Sequence, residues 1–245
     1  MIYKANEIRK AVIQAGILRK CKDNKKLSYY NEPLAFDIET SSFKVHSNGQ
    51  EEKVGIMYIW TLAIKNIIIQ GRTWKEFVDV LKFMSEWYET KENRMIIYVH
   101  NLGYEFQFMH KWLEFEEVFS LKERQPVKAL TKMGIEFRCS YKLSGYSLDN
   151  LAKNLNSHDI KKLKGNLDYK KLRHKSTPLT NEELEYTIND VLIIIAYIEE
   201  YIDKVKYIYN IPATKTGEVR RHTRKNCFTG GIRQKAAMYI TNIAI

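Results

Sequence analysis

Residues 33–40, Pro-Leu-Ala-Phe-Asp-Ile-Glu-Thr, set two carboxylates inside an otherwise apolar run. Leu34, Ala35, Phe36 and Ile38 surround Asp37 and Glu39, so the segment reads as a buried strand, and residues two apart in a strand project from the same face. Two like charges side by side on an apolar sheet are costly unless a cation neutralises them. Hard oxygen donors at this spacing suit Mg2+ or Mn2+. Taken alone, the segment equally permits a strand end carrying two solvated acids.

Two later segments extend the pattern. In residues 95–109 an apolar run from Met95 to Val99 ends in His100-Asn101, followed by Gly103 and an expected helix that holds Glu105. In residues 183–198 a strongly apolar helical pattern is preceded by Thr180 and Asn181, which suit a helix N-terminus. Tyr186 and Asp190 are one helical turn apart there and share a face. A Tyr-x-x-x-Asp spacing by itself also fits a packed tyrosine and a solvated acid; the order of all three segments is what makes the pattern specific.

Asp-Ile-Glu-Thr, His-Asn-Leu-x-Tyr-Glu and Tyr-x-x-x-Asp together resemble the 3'-5' exonuclease domain of family B DNA polymerases, in particular the protein-primed polymerases of bacteriophages and linear plasmids. Ser147-Leu148 resembles the family's Ser-Leu pair, which touches a single-stranded 3' end. Lys164, in Lys-Gly-Asn-Leu-Asp-Tyr, stands where the family has a catalytic-site lysine. Phe228-Thr229-Gly230-Gly231 resembles the motif that joins exonuclease and polymerase domains. The resemblance spans roughly residues 33–231 and implies a ribonuclease-H-like α/β fold, a mixed sheet flanked by helices. It divides the chain into a basic extension (1–32), an exonuclease domain (33–210) and a basic connector into a truncated polymerase region (211–245).

The resemblance also implies a chemistry. Asp37, Glu39, Glu105 and Asp190 would hold two Mg2+ or Mn2+ ions. Tyr186 would orient the attacking water, and Lys164 would stabilise phosphate charge. Thr40, Asn101, Tyr104, Ser147, Leu148, Gly230 and Gly231 match strand-binding positions. The expected partners are single-stranded DNA at a primer 3' end and a terminal protein. Two departures stand out. The middle acid is usually Asp and is Glu105 here, one methylene longer. The polymerase motifs, including Asp-x-x-Ser-Leu-Tyr-Pro, are absent, so the chain reads as a polymerase fragment or a stand-alone exonuclease. A weakened module that binds DNA or terminal protein on the same fold is the alternative, and a ribonuclease is a third.

Composition agrees with a nucleic-acid partner. Forty Lys and Arg against 29 Asp and Glu give a formal net charge of +11, and such an excess favours an anionic ligand. Cys21, Cys139 and Cys227 lie far apart with no paired spacing, which argues against zinc and fits a reducing cytoplasm. No apolar run is long enough to span a bilayer, so no membrane partner is expected.

Along the chain, residues 1–32 read as a basic, solvated arm with a short helix near Ala5 to Arg19. Strands are expected over 33–40, 54–64, 65–71, 94–101 and 135–142. Thr73 to Tyr88 reads as an amphipathic helix, because Trp74, Phe77, Val78, Leu81 and Met84 recur at helical spacing. Helices dominate after Ser147. Residues 156–180 read as a basic loop.

Overall fold

The computed structural model describes residues 1–47, 50–163 and 171–227. In chain order it holds β1 (Ile2–Lys4), α1 (Ile8–Ala15), β2 (Lys20–Lys22), β3 (Ser28–Tyr30), β4 (Leu34–Ser47), β5 (Gln50–Ile64), β6 (Ile67–Gly71), α2 (Trp74–Tyr88), β7 (Asn93–Val99) and α3 (Leu102–Met109). Then follow β8 (Phe115–Lys122), β9 (Gln125–Thr131), β10 (Ile135–Cys139), α4 (Ser140–Ser144), α5 (Leu148–Lys153), α6 (Asn181–Val205) and α7 (Lys215–Cys227).

The strands form one mixed sheet in the order β1-β6-β5-β4-β7-β10-β9-β8, and the β2–β3 hairpin joins it through β3 and β7. β4 lies near the middle, antiparallel to β5 and parallel to β7. Its alternating side chains build two layers. Leu34, Phe36 and Ile38 face a core shared with Val12 of α1, with Phe77 and Leu81 of α2, and with Leu102 of α3. Phe36 stacks on Phe77 at 4.3 Å between ring centres. Ala35 faces the other way, into a core with Ala63, Tyr98 and the α6 residues Val191, Ile194 and Ile198. Small residues on this side of β4 and β5 let α6 lie close. Asp37 and Glu39 continue the Ala35 face, so β4 aims both acids toward α6.

Helix ends follow from local chemistry. The Thr73 hydroxyl accepts the Glu76 N–H at 3.2 Å, and the Glu76 carboxylate accepts the Thr73 N–H at 2.8 Å. Thr180 and Glu183 repeat this reciprocal cap at the start of α6. Each such cap stabilises its helix by about 1 kcal/mol.

Several elements depart from the expected pattern. The first thirty residues are not a solvated arm. β1 pairs in parallel with β6, β3 pairs in parallel with β7, and Ala11, Val12 and Leu18 are buried. The segment expected as a strand over 135–142 ends at Cys139, and Ser140–Ser144 turn into α4. β8 and β9 are an antiparallel pair at the sheet edge that the sequence reading left unassigned. β4 and β5 run past the core as a long hairpin, still paired at Ser47 and Gln50.

Candidate metal centre

Oxygen atoms of Asp37, Glu39 and Asp190 lie within 4.8 Å of one another, the arrangement of a site that could hold a metal ion. Two come from β4 and the third from α6. The helix is seated over the strand by Ile194 and Ile198 on Ala35 and Ala63, and by a polar bridge near the acids. In that bridge Gln70 donates to the Thr61 hydroxyl at 3.2 Å and to the Thr187 hydroxyl at 2.8 Å, and Thr61 is the ladder partner of Asp37.

Immediately after Glu39 the ladder slips. Glu39 pairs with Ile59 and Thr40 with Met57, which leaves Tyr58 as the extra residue of a bulge in β5. Bulges re-aim side chains beside functional sites. Thr40 then meets α3 through a 2.5 Å hydrogen bond between its hydroxyl and that of Tyr104.

Glu105, on the first turn of α3, is buried, and its Oε2 has no hydrogen-bond partner among the described residues. It stands beside Asp37 and Glu39 electrostatically but outside the three-residue group. Gly103 makes the approach of α3 possible, since a Cβ there would lie 3.1 Å from the carbonyl oxygen of Arg124 in the β8–β9 turn.

The titration behaviour follows from burial of like charges. Burial, and then the neighbouring charges of Glu39, Glu105 and Asp190, push Asp37 well above the usual carboxylate range. Burial and then Asp190 raise Glu39 to about 7. Burial and then Glu39 raise Glu105 to about 8. Asp190 is also raised by burial, against the pull of Lys162. Burial and then the Lys162 charge lower His100 to about 4.

Lys162 is the functional candidate that sequence reasoning missed. Its ammonium donates to both oxygens of Asp190, at 2.8 and 2.7 Å, and lies 4.8 Å from the centre of the Tyr186 ring. The run Lys161-Lys162-Leu163-Lys164 offers three cations, and spacing alone cannot say which one reaches the acids. Lys164, Gly230 and Gly231 lie outside the described residues.

The remaining expected residues lie on α3, α5 and α6 or at their starts. Tyr186 is half-buried one turn before Asp190. Asn101 and Tyr104 are exposed at the start of α3. The exposed Ser147 caps α5, its hydroxyl accepting the Asn150 N–H at 3.4 Å, and Leu148 packs half-buried against the α5–α6 contact. His100 is held by Ser140 at 3.1 Å, lies edge-on to Tyr141 and is not one of the three residues of the ligand group. Among the described residues no helix is long and apolar enough to cross a membrane.

No family model matches the chain, and no curated protein matches it. Solved structures do. Phi29 DNA polymerase in a ternary complex with primer-template DNA and incoming nucleotide matches with a TM-score of 0.54 at 16% identity, over 71% of this chain and 31% of that one. Phi29 DNA polymerase complexed with single-stranded DNA matches with a TM-score of 0.53 at 19% identity, over 72% of this chain and 32% of that one. The chain thus spans about a third of the length of the polymerases it matches. The expected mixed α/β architecture is the one observed, and it is a fold shared with part of phi29 DNA polymerase.

Proposed function

We propose that this chain is a metal-dependent 3'-5' exonuclease that shortens single-stranded DNA from its 3' end, the proofreading portion of a phage-type, protein-primed family B DNA polymerase. The observation that supports it most is the convergence of Asp37, Glu39 and Asp190, on a fold shared with a polymerase whose structures include a complex with single-stranded DNA.

The donors fit a hard divalent cation. All are carboxylate oxygens, they repel one another, and Glu105 adds a buried acid whose Oε2 lacks a partner among the described residues. Two Mg2+ or Mn2+ ions bound there would activate a water and stabilise the departing 3' oxygen. By the family resemblance Asp37, whose neighbouring charges include Glu39, Glu105 and Asp190, would be the shared ligand, with Glu39 and Asp190 as further ligands and Glu105 as a fourth acid. The Tyr186 hydroxyl, one turn from Asp190, would orient the water. Lys162 brings a positive charge to the rim of the centre, where a scissile phosphate would lie, and Lys164 is a second candidate for that task.

A displaced 3' end is single-stranded, and exposed aromatic and amide groups suit it. Tyr104 offers a ring face tied to Thr40, and Asn101 offers an amide at the same corner. Ser147 and Leu148 would contact sugar and base, and Gly230-Gly231 would let backbone approach the strand. A terminal protein is the second partner this reading implies.

The test uses single-stranded DNA labelled at its 5' end. A ladder of progressively shortened labelled products is expected with Mg2+ or Mn2+, with slower attack on blunt duplex. An unchanged ladder in excess EDTA, or no products at all with Mn2+ present, would overturn the reading.

A further inference from the structure

The bulge in β5 has partners that the chemistry above does not use. The carbonyl of Tyr58, the extra residue, accepts from Nε of Arg72 at 2.5 Å. The same guanidinium donates to the carbonyls of His174 and Thr177, at 2.9 and 2.8 Å. Arg72 therefore ties residues 174–177 to the bulge.

Arg173, from the same irregular segment, is 4% exposed. Its backbone N–H donates to the hydroxyl of Ser41 at 2.9 Å, two residues beyond Glu39. Its guanidinium reaches Oε1 of Glu183 through Nε at 2.7 Å and through a terminal nitrogen at 2.6 Å. It also donates to the Lys171 carbonyl at 3.1 Å and lies 5.8 Å from the centre of the Tyr58 ring. Glu183 in turn caps α6, its Oε2 accepting the Thr180 N–H at 2.8 Å.

We infer that Arg173 is a positioning residue for the carboxylate centre, fixing the register of α6 against β4 and so the approach of Asp190 to Asp37 and Glu39. The inference rests on the proposed metal centre. Its geometry is direct. Ser41 belongs to the strand that supplies two ligands, and Glu183 begins the helix that supplies the third. Glu183 and Asp190 are two turns apart on one continuous helix, about 10 Å along its axis. A slide or rotation of the first turn is carried to Asp190 with little loss. A buried ion pair is in itself weak evidence of stabilisation. This one joins the two elements whose spacing decides whether three carboxylates can share a cation.

The test compares wild type, Arg173→Gln and Arg173→Lys in the full chain. Mn2+ affinity is read by calorimetry, fold by circular dichroism, and kcat and KM on single-stranded DNA. Residues that orient metal ligands typically cost tenfold or more in metal affinity when replaced. Arg173→Gln is therefore expected to keep the wild-type dichroism, lose about tenfold in Mn2+ affinity and lower kcat with KM changed less than about twofold. Arg173→Lys keeps the charge but not the forked contact, and should fall between the two. Wild-type Mn2+ affinity in a folded Arg173→Gln overturns the inference while leaving the centre standing. If Arg173→Gln does not fold, Arg173→Lys decides: unchanged affinity overturns the inference, and a severalfold loss supports it. A wild-type chain that binds no Mn2+ removes the centre and the inference together.

Discussion

Glu136 and Glu39 are acids of the same sheet with opposite surroundings. Glu136, 1% exposed on β10, is gripped by Arg138 at 2.6 Å and Arg94 at 3.3 Å. Burial alone would lower Arg138, but Glu136 and Tyr98 more than reverse that. Glu32 has the same kind of environment: burial would raise it, yet Arg19 at 2.9 Å and Lys65 at 3.5 Å hold it below its ordinary value. Asp37 and Glu39 on β4 and Glu105 on α3 have other acids as near neighbours, and all three are pushed upward. Lys162 contacts Asp190 of that group. The fold thus sets two cations against Glu136 and two against Glu32, whereas the four clustered acids share one close cation, Lys162 on Asp190, and Asp37 and Glu39 are left without an ion pair of their own among the described residues. This under-compensated cluster is the place where an external cation is called for.

Substitution should separate the two regions, and the largest expected effect is on turnover at β4. Asp190→Asn should cut metal-dependent DNA degradation by on the order of a thousandfold, since a bound metal supplies several kcal/mol of charge stabilisation. A loss of less than tenfold in single-turnover rate would show that α6 is not part of the centre. Glu136→Gln should do the reverse. It strands Arg138, whose side chain is 13% exposed, and should lower unfolding free energy by about 3 kcal/mol while the folded fraction keeps its exonuclease rate. A denaturant midpoint equal to wild type would deny the compensating role of that network.

Smaller effects are expected at Glu105, where the two regions are hardest to tell apart. Glu105→Gln keeps the shape and removes the charge, and should slow degradation by about tenfold if the acid reaches the metals. Glu105→Asp should match or exceed wild type, because it restores the shorter side chain usual at this position in the resembling family. A Gln variant as fast as wild type would confine the centre to Asp37, Glu39 and Asp190.

The sequence carried this contrast unevenly. The two carboxylates of β4 were legible because strand alternation is strict, and Leu34, Phe36 and Ile38 mark the opposite face without ambiguity. α6 was legible from its long apolar pattern and the Thr180 cap, and α2 from its helical spacing. β8 was not, since nearly all of Phe115–Lys122 is exposed and no face alternates toward a core. β1 and β3 were missed for another reason: short parallel strands are completed by partners far along the chain, and local pattern does not name them. The same limit hid Lys162 among neighbouring lysines, and hid Arg72 and Arg173, whose partners are set by a bulge that no local signal announces.

The central claim, that the β4 acids are uncompensated until a divalent cation arrives, is tested most directly by thermal melting. With Glu39 at about 7 and Glu105 at about 8, against an ordinary value of 4.5, the folded chain holds protons that the unfolded chain has released. Stability therefore falls as pH rises through that window. His100 acts in the opposite sense, but mainly below and around its ordinary value of 6.5, so the carboxyls dominate between pH 6.5 and 8. In EDTA the wild-type melting temperature should drop between pH 6.5 and 8, and Mn2+ at pH 8 should restore it. Asp37→Ala/Glu39→Ala should melt at or above wild type in EDTA at pH 8, with a smaller pH dependence than wild type, since burial still raises Glu105, and with little response to Mn2+. A wild-type melting temperature that is flat with pH and indifferent to Mn2+, or a double variant that responds to Mn2+ as wild type does, would contradict the account.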